Sequence, residues 1–146
     1  MTLDNIRHFY FLGIGGIGMS ALARYFNTIG KTVAGYDRTP TLLTQQITDE
    51  GISVHFDDSP ELIPVAFRSP GDTCVIYTPA VPADHAEMAY FRENGFTLYK
   101  RSEILGLITR NYKTVAVAGT HGKTTVSTMI AHIMAQSDMG CNAFLG

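Results

Sequence analysis

Two glycine-rich turns hold the residues whose types and spacing are best suited to chemistry, and in both the chemistry is the handling of phosphate. In the first, the apolar run HFYFLGI leads into Gly13-Ile14-Gly15-Gly16-Ile17-Gly18, a GxGxxG pattern followed by helical periodicity. Gly13 permits the tight turn, Gly15 removes a side chain where a diphosphate must approach, and Gly18 lets the helix pack close to the strand. Free amides from Gly16 through Ile17 and Gly18 to Met19 then face the anion at a helix start, where the dipole adds to them. Asp37 follows Gly18 by 19 residues, at the end of the next apolar run. There an acid either accepts hydrogen bonds from ribose hydroxyls or starts the turn that runs to Pro40.

The second turn lies in TVAVAGTHGKTT, where Gly119-Thr120-His121-Gly122-Lys123-Thr124-Thr125 joins an apolar run to a helical one. Strand, glycine loop, Lys-Thr, helix is the order of an ATP phosphate loop. Backbone amides cradle the phosphates, Lys123 neutralises charge on the transferring group as the catalytic cation, and the Thr124 hydroxyl is a magnesium ligand. The loop departs from GxxxxGKT, which needs glycine where Val117 stands. His121 reads either as a phosphate contact or as an exposed loop histidine.

Elements of matching period must position these turns. Apolar runs predict strands at His8–Ile14, Thr32–Tyr36, Ser53–Phe56, Thr73–Tyr77, Thr97–Tyr99 and Thr114–Ala118. Met19, Leu22, Ala23, Phe26 and Ile29 recur at helical spacing before Gly30. Further helices are expected over Thr41–Glu50, Ala83–Asn94 and Ser102–Arg110, closed in the first two cases by Gly51 and Gly95, with Ser102 as an N-cap. Asp57–Gly71 contains three prolines and predicts a short helix flanked by loop. The stripe Val126, Met129, Ile130, Ile133 and Met134 predicts a core-facing helix after the second turn. Alternation of strand and helix gives an α/β fold: a Rossmann-like parallel sheet flanked by helices. The polar run RNYK, Arg110–Lys113, marks a boundary before a new strand and phosphate-loop helix.

Composition narrows the function classes. At 146 residues, 45% hydrophobic and 16% charged, the chain can bury one ordinary core. A net charge of -2 with scattered cations offers no basic stripe for nucleic acid. Cys74 and Cys141 stand far apart without a metal-ligand pattern, which fits a reducing compartment. Neither an apolar signal core near the N-terminus nor a run long enough to cross a bilayer is present, so a cytoplasmic location without membrane contact is expected.

Five ordered segments resemble the Mur ligase family of cell-wall precursor enzymes: GIGGIGMS (Gly13–Ser20), AGYD ending at Asp37, YTPAV (Tyr77–Val81), KRSEILG (Lys100–Gly106) and AGTHGKTT (Ala118–Thr125). The resemblance implies a UDP-sugar-binding Rossmann-like domain over residues 1–111 and the incomplete start of a central ATP-binding domain over 112–146. It implies the substrates UDP-N-acetylmuramate and L-alanine, with ATP and magnesium as cofactors and no NAD. ATP phosphorylates the sugar acid's carboxylate and the amino group displaces phosphate from the acyl phosphate. The UDP diphosphate is then expected on Gly15, Gly16, Ile17, Gly18 and Met19, and the uridine and sugar beside Asp37 and the loop Thr78, Pro79, Ala80 and Val81. That loop otherwise reads as a proline-shaped turn. A murein-peptide recycling ligase of the same family is the nearest alternative. An NAD-binding oxidoreductase domain would leave GTHGKTT without a purpose, and a non-catalytic nucleotide sensor would use both turns without chemistry. The 146 residues are expected to bind UDP-sugar without turning over ATP, and the apolar stripe of the last helix to pack on the first domain, associate with a second copy or stay poorly ordered.

Overall fold

The computed structural model describes residues 3–145. The outermost ends of the two expected domains, Met1 and Gly146, lie outside the described residues. After a 3-10 turn at Leu3–Asn5 come β1 (His8–Leu12), α1 (Ile17–Thr28), β2 (Thr32–Tyr36), α2 (Leu42–Asp49) and β3 (Ser53–His55). Then follow β4 (Thr73–Tyr77), α3 (Ala86–Glu93), β5 (Leu98–Lys100), α4 (Arg101–Thr109) and α5 (Lys123–Ala135). The five strands form one parallel sheet in the order β3-β2-β1-β4-β5. The Rossmann-like parallel sheet flanked by helices is therefore present as expected.

Alternation along β1 sorts the core onto two faces. Phe9 and Phe11 point to the face covered by α1 and α4, where they meet Met19, Leu22, Phe26, Ile104 and Ile108. Phe9 stacks on Phe26 with ring centroids 3.7 Å apart. Tyr10 and Leu12 point to the opposite face, against Ile63, Phe67, Met88 and Phe91. β1 is the middle strand and is covered on both sides, which is why its sequence is apolar throughout rather than alternating. Helix ends are set locally. Thr41 and Thr44 exchange side-chain and backbone hydrogen bonds at the start of α2, and Gly30, Gly51 and Gly95 take positive φ after α1, α2 and α3.

Several sequence-based expectations are corrected. The N-cap of α4 is Lys100, not Ser102, because the Lys100 amide donates to Glu103 Oε2 at 2.7 Å and draws the start two residues earlier. β1 stops at Leu12, since the amides of Gly13 and Ile14 both turn to the Tyr36 carbonyl, at 2.8 and 3.0 Å. Asp57–Gly71 forms two 3-10 turns, Pro60–Leu62 and Val65–Phe67, in place of one short helix. Thr114–Ala118 forms no strand: no partner strand lies beside it, Val115 is exposed, and the Thr114 hydroxyl bonds back to the carbonyls of Thr109 and Tyr112. The α5 stripe is not core either. None of its residues is buried, and Met129 and Ile133 are 60% and 66% exposed.

The segment after α5 does touch the first unit. Phe144 meets Tyr25 of α1 edge-on, with centroids 5.7 Å apart, and Tyr25 donates its hydroxyl proton to the Tyr112 oxygen.

Two measurements follow from this packing. Gly35 faces Phe11 across β1 and β2, and a Cβ there would collide with the Phe11 carbonyl oxygen and lie 3.1 Å from Ile14 Cδ1. Gly35→Ala is expected to cost about 1–3 kcal/mol in urea denaturation. Amides of α5 are expected to exchange with solvent far faster than those of α1, since only α1 is anchored by buried side chains.

Candidate functional site

The parallel register brings all five strand ends to one level. Leu12 pairs with Tyr36 and Tyr77, Tyr36 with His55, and Tyr77 with Lys100. β1 is followed in the sheet by β2 on one side and by β4 on the other, so the crossovers diverge between β1 and β4. Open α/β sheets bind ligands at such a point, outside the strand carboxyl ends. An open cleft of about 590 Å³ lies there, lined by Gly13, Gly16, Met19, Tyr36, Asp37, Arg38, Asp58, Thr78, Ala80, Val81, Pro82, Asp84 and His85. Of the residues expected from sequence, the cleft gathers Gly16, Met19, Asp37, Thr78, Ala80 and Val81. It does not gather Gly15, Ile17, Gly18 or Pro79, and Ile17 is 72% exposed.

The glycine turn has one long internal bond, from the Gly16 amide to the Gly13 carbonyl at 3.5 Å, and is otherwise held by its neighbours. Gly13 has φ +87°, and a Cβ on it would come within 2.6 Å of the Thr78 methyl, so this glycine joins the turn to the β4 loop. Gly15 and Gly18 have reasons other than those expected. The space beside Gly15 is filled by the Asp37 carboxylate and the Thr44 methyl, and its amide donates to Asp37 Oδ2 at 2.6 Å. At Gly18 the side-chain space is taken by the Arg101 guanidinium, not by the strand. Asp37 also accepts from the Thr39 amide at 3.2 Å, so its turn-forming role is present in the structure. Beyond Gly16 the first intrahelical bond runs from the Ser20 amide to the Gly16 carbonyl, leaving the amides of Ile17, Gly18 and Met19 at the open N-terminal turn of α1.

Behind the cleft lies a buried polar cluster that the sequence did not reveal. Asp58 accepts from the amides of Ala86 and Glu87 and thereby caps α3 from a distant loop. His85 is 5% exposed yet lines the cleft. Its Nδ1 stands 3.1 Å from Asp58 Oδ1 without the alignment of a hydrogen bond, and burial pushes its pKa down. Tyr10 donates to Glu87 Oε2 at 2.7 Å and is also 2.7 Å from His55 Nε2. His55 and Glu87 approach to 3.2 Å, but burial lowers the histidine and raises the carboxyl to about 7. Both shifts favour the uncharged forms, so burial works against an ion pair here, and Glu87 Oε1 has no hydrogen-bond partner among the described residues. Tyr10 itself is pushed up, first by burial and then by Glu87. Tyr36, His85, Asp58 and Arg38 were therefore missed as cleft residues. Their only signal was proximity to strand carboxyl ends, and the pairing of Asp58 with α3 joins segments 28 and 29 residues apart.

The second turn sits apart from the cleft. Gly122 adopts φ +75° and α5 begins at Lys123, so the glycine-to-helix corner of this turn is formed. Lys123 Nζ donates to the Gly119 carbonyl at 2.8 Å, across the loop, and His121 Nδ1 lies 3.2 Å from the Thr120 hydroxyl. Thr124 and Thr125 are exposed at the helix start. The turn thus presents exposed first-turn amides and exposed threonines, with its lysine bonded across the loop.

Comparison with known proteins adds the decisive observation. The model of the Mur ligase family catalytic domain matches residues 8–113, more than half of the chain. The chain belongs to the Mur ligase family. It is 58% identical over 146 residues to the UDP-N-acetylmuramate--L-alanine ligase of Phocaeicola vulgatus and 53% identical over 146 residues to that of Flavobacterium johnsoniae. In each case it covers 100% of this chain and 32% of the relative, so the chain spans about a third of the length of these Mur ligases. Among solved structures it superposes on the UDP-N-acetylmuramate-alanine ligase of Thermotoga maritima with a TM-score of 0.76 at 33% identity, covering 87% of this chain and 29% of that one. A murein peptide ligase of Psychrobacter arcticus gives 0.75 at 28% identity, covering 88% and 26%.

The buried carboxyl makes a pH test available. A raised Glu87 contributes stability that is fully present below its unfolded value of 4.5 and is lost as pH rises through about 7. Glu87→Gln stays neutral throughout. Urea denaturation from pH 5 to pH 8 is expected to show the variant gaining on the parent chain by roughly 2–3 kcal/mol. A difference that stays flat over this range would show that Glu87 does not titrate there.

Proposed function

We propose that this chain is the UDP-sugar-binding part of an ATP-dependent ligase that joins L-alanine to UDP-N-acetylmuramate in peptidoglycan precursor synthesis. One observation carries the reading. The cleft at the divergence of β1 and β4 unites the glycine turn with the Thr78–Val81 loop, in a chain 58% identical to an alanine-adding ligase. In this reading residues up to 111 form the binding domain and residues from 112 begin the ATP domain.

The diphosphate lies at the first turn of α1, against the amides from Gly16 to Met19, where it meets the positive end of the helix dipole. Gly15 contributes by letting Asp37 and Thr44 close under the turn. Asp37, already bonded through both oxygens to backbone amides, faces the ribose side with its remaining lone pairs. Thr78, Ala80 and Val81 line the sugar side, and Pro79 shapes the loop that carries them.

Gly119 to Thr125 form the ATP phosphate loop, with Lys123 against the transferring phosphoryl group and the Thr124 hydroxyl toward magnesium. ATP and the metal would supply the γ-phosphoryl group that activates the sugar acid's own carboxylate, with ADP leaving, and the amino group of L-alanine would displace phosphate from it to form the amide. Within the 146 residues the loop is exposed, α5 is unburied and Lys123 is bonded to Gly119. These features support binding of UDP-sugar without turnover of ATP. A cytoplasmic setting accords with these soluble substrates, and no helix among the described residues is long and apolar enough to cross a membrane.

Calorimetric titration of the chain with UDP-N-acetylmuramate and, separately, with NADH tests the reading. Heat of binding is expected with the first and none with the second, and no ADP is expected on adding ATP, magnesium and L-alanine. Binding of NADH in preference to the UDP-sugar would overturn it in favour of an oxidoreductase domain.

A further inference from the structure

The cleft is poorly supplied with positive charge for a ligand that carries a diphosphate. Its lining holds three carboxylates, Asp37, Asp58 and Asp84, against a single arginine, Arg38. Asp37 and Asp58 each accept two backbone amides, which spreads their charge but does not remove it. Net repulsion of an anion has to be offset from outside this set.

Arg101 lies outside that lining but over the helix start that follows the glycine turn, from where it can add charge to the edge of the cleft. It is the first residue of α4, directly after β5, so it leaves the sheet at the same carboxyl edge as the glycine turn. Its side chain reaches back over α1. The guanidinium occupies the space a Cβ on Gly18 would fill, with Cζ at 3.0 Å and Cδ at 3.3 Å from that position. Gly18 is in the first turn of α1, whose amides point outward unpaired. A guanidinium laid against the positive end of a helix is unfavourable unless an anion lies between them. Arg101 takes part in none of the ion pairs or side-chain hydrogen bonds among the described residues. It is partly buried and faces a turn with no carboxylate of its own.

Resting on the reading of the cleft as a UDP-sugar site, we propose that Arg101 is a binding residue for the diphosphate, donating to its non-bridging oxygens across the first turn of α1. The absence of a side chain at Gly18 then has a functional cause: it makes room for the guanidinium, as only glycine can. Arg101 lets the site distinguish a nucleoside diphosphate from the bare nucleoside, because a planar fork of donors matches phosphate oxygens two at a time.

The test uses the 146-residue chain and its Arg101→Gln and Arg101→Lys variants, titrated calorimetrically with UDP-N-acetylmuramate, UDP, uridine and inorganic pyrophosphate at low and high salt. Arg101→Gln is expected to weaken UDP and UDP-N-acetylmuramate alike, by about tenfold or more, while changing uridine less than about twofold. Arg101→Lys is expected to recover part of the loss, and the salt dependence of UDP binding is expected to flatten in the glutamine variant. An arginine that merely packs over Gly18 would weaken all ligands equally and lower thermal stability, and that result would overturn the proposal. So would unchanged UDP binding in Arg101→Gln. A loss confined to UDP-N-acetylmuramate would assign Arg101 to the sugar's carboxylate and overturn its role toward the diphosphate. If pyrophosphate binds in an Arg101-dependent way while UDP-sugar does not bind, the anion site stands and the UDP-sugar reading fails. If neither binds, both fail.

Discussion

The carbonyl of Tyr36 is the point on which the rest of the site depends. It accepts the amides of both Gly13 and Ile14, ending β1 and turning the chain away from the sheet within two residues. The turn can be that tight because Gly13 takes a positive φ, and because a side chain there would strike the Thr78 methyl. One bifurcated acceptor on β2 thus decides where α1 begins, how near the β4 loop can come, and hence that a cleft opens between β1 and β4. Burial of β1 on both faces holds the arrangement, since Phe9, Tyr10, Phe11 and Leu12 have no solvent exposure. Any shift of register by one residue would exchange the two faces of the core.

Three of the four glycines of the first turn illustrate how one pattern serves three neighbours. Gly13 yields to Thr78, Gly15 to Asp37 and Thr44, and Gly18 to Arg101. None of the three is empty for the sake of a strand. Asp37 in turn couples α1 to β2 through the Gly15 amide, so its carboxylate acts as a brace for the turn as well as a wall of the cleft. A substitution at Asp37 therefore acts on both the shape of the turn and the charge facing the ligand, and the two effects cannot be separated by charge reversal alone.

Legibility in the sequence followed the range of the interaction. Period and capping are local, and the strands β1, β2 and β4, the helix α1 with Gly30, and the glycine ends of α2 and α3 were all readable from neighbouring residues. The glycine turn and the Thr78–Val81 loop were readable because a parallel sheet puts strand carboxyl ends on one edge. The Asp58 cap of α3, the Tyr10–His55–Glu87 cluster and the reach of Arg101 to Gly18 were not readable, because each joins residues 28 to 83 positions apart through a side chain whose direction no periodicity encodes. The α4 cap was misplaced by a local rule of the same kind, when the Glu103 carboxylate outcompeted Ser102 for the start of the helix.

The contrast between α5 and the missing strand at Thr114–Ala118 has one physical origin. A helix satisfies its backbone hydrogen bonds from within, so α5 forms even with every side chain unburied. A parallel strand satisfies none of its own and needs a neighbour on at least one side, and Thr114–Ala118 pairs with neither edge strand, β3 or β5. The second glycine turn lies between these two elements. Its helical half, from Gly122 onward, is formed, while its strand half, before Gly119, has no fixed position in a sheet. Lys123 accordingly turns to the nearest acceptor, the Gly119 carbonyl, instead of facing an open cradle. The cleft at the strand carboxyl ends is thus complete in its backbone within the first unit, whereas the second glycine turn has no sheet around Thr114–Ala118 against which its lysine and amides could converge.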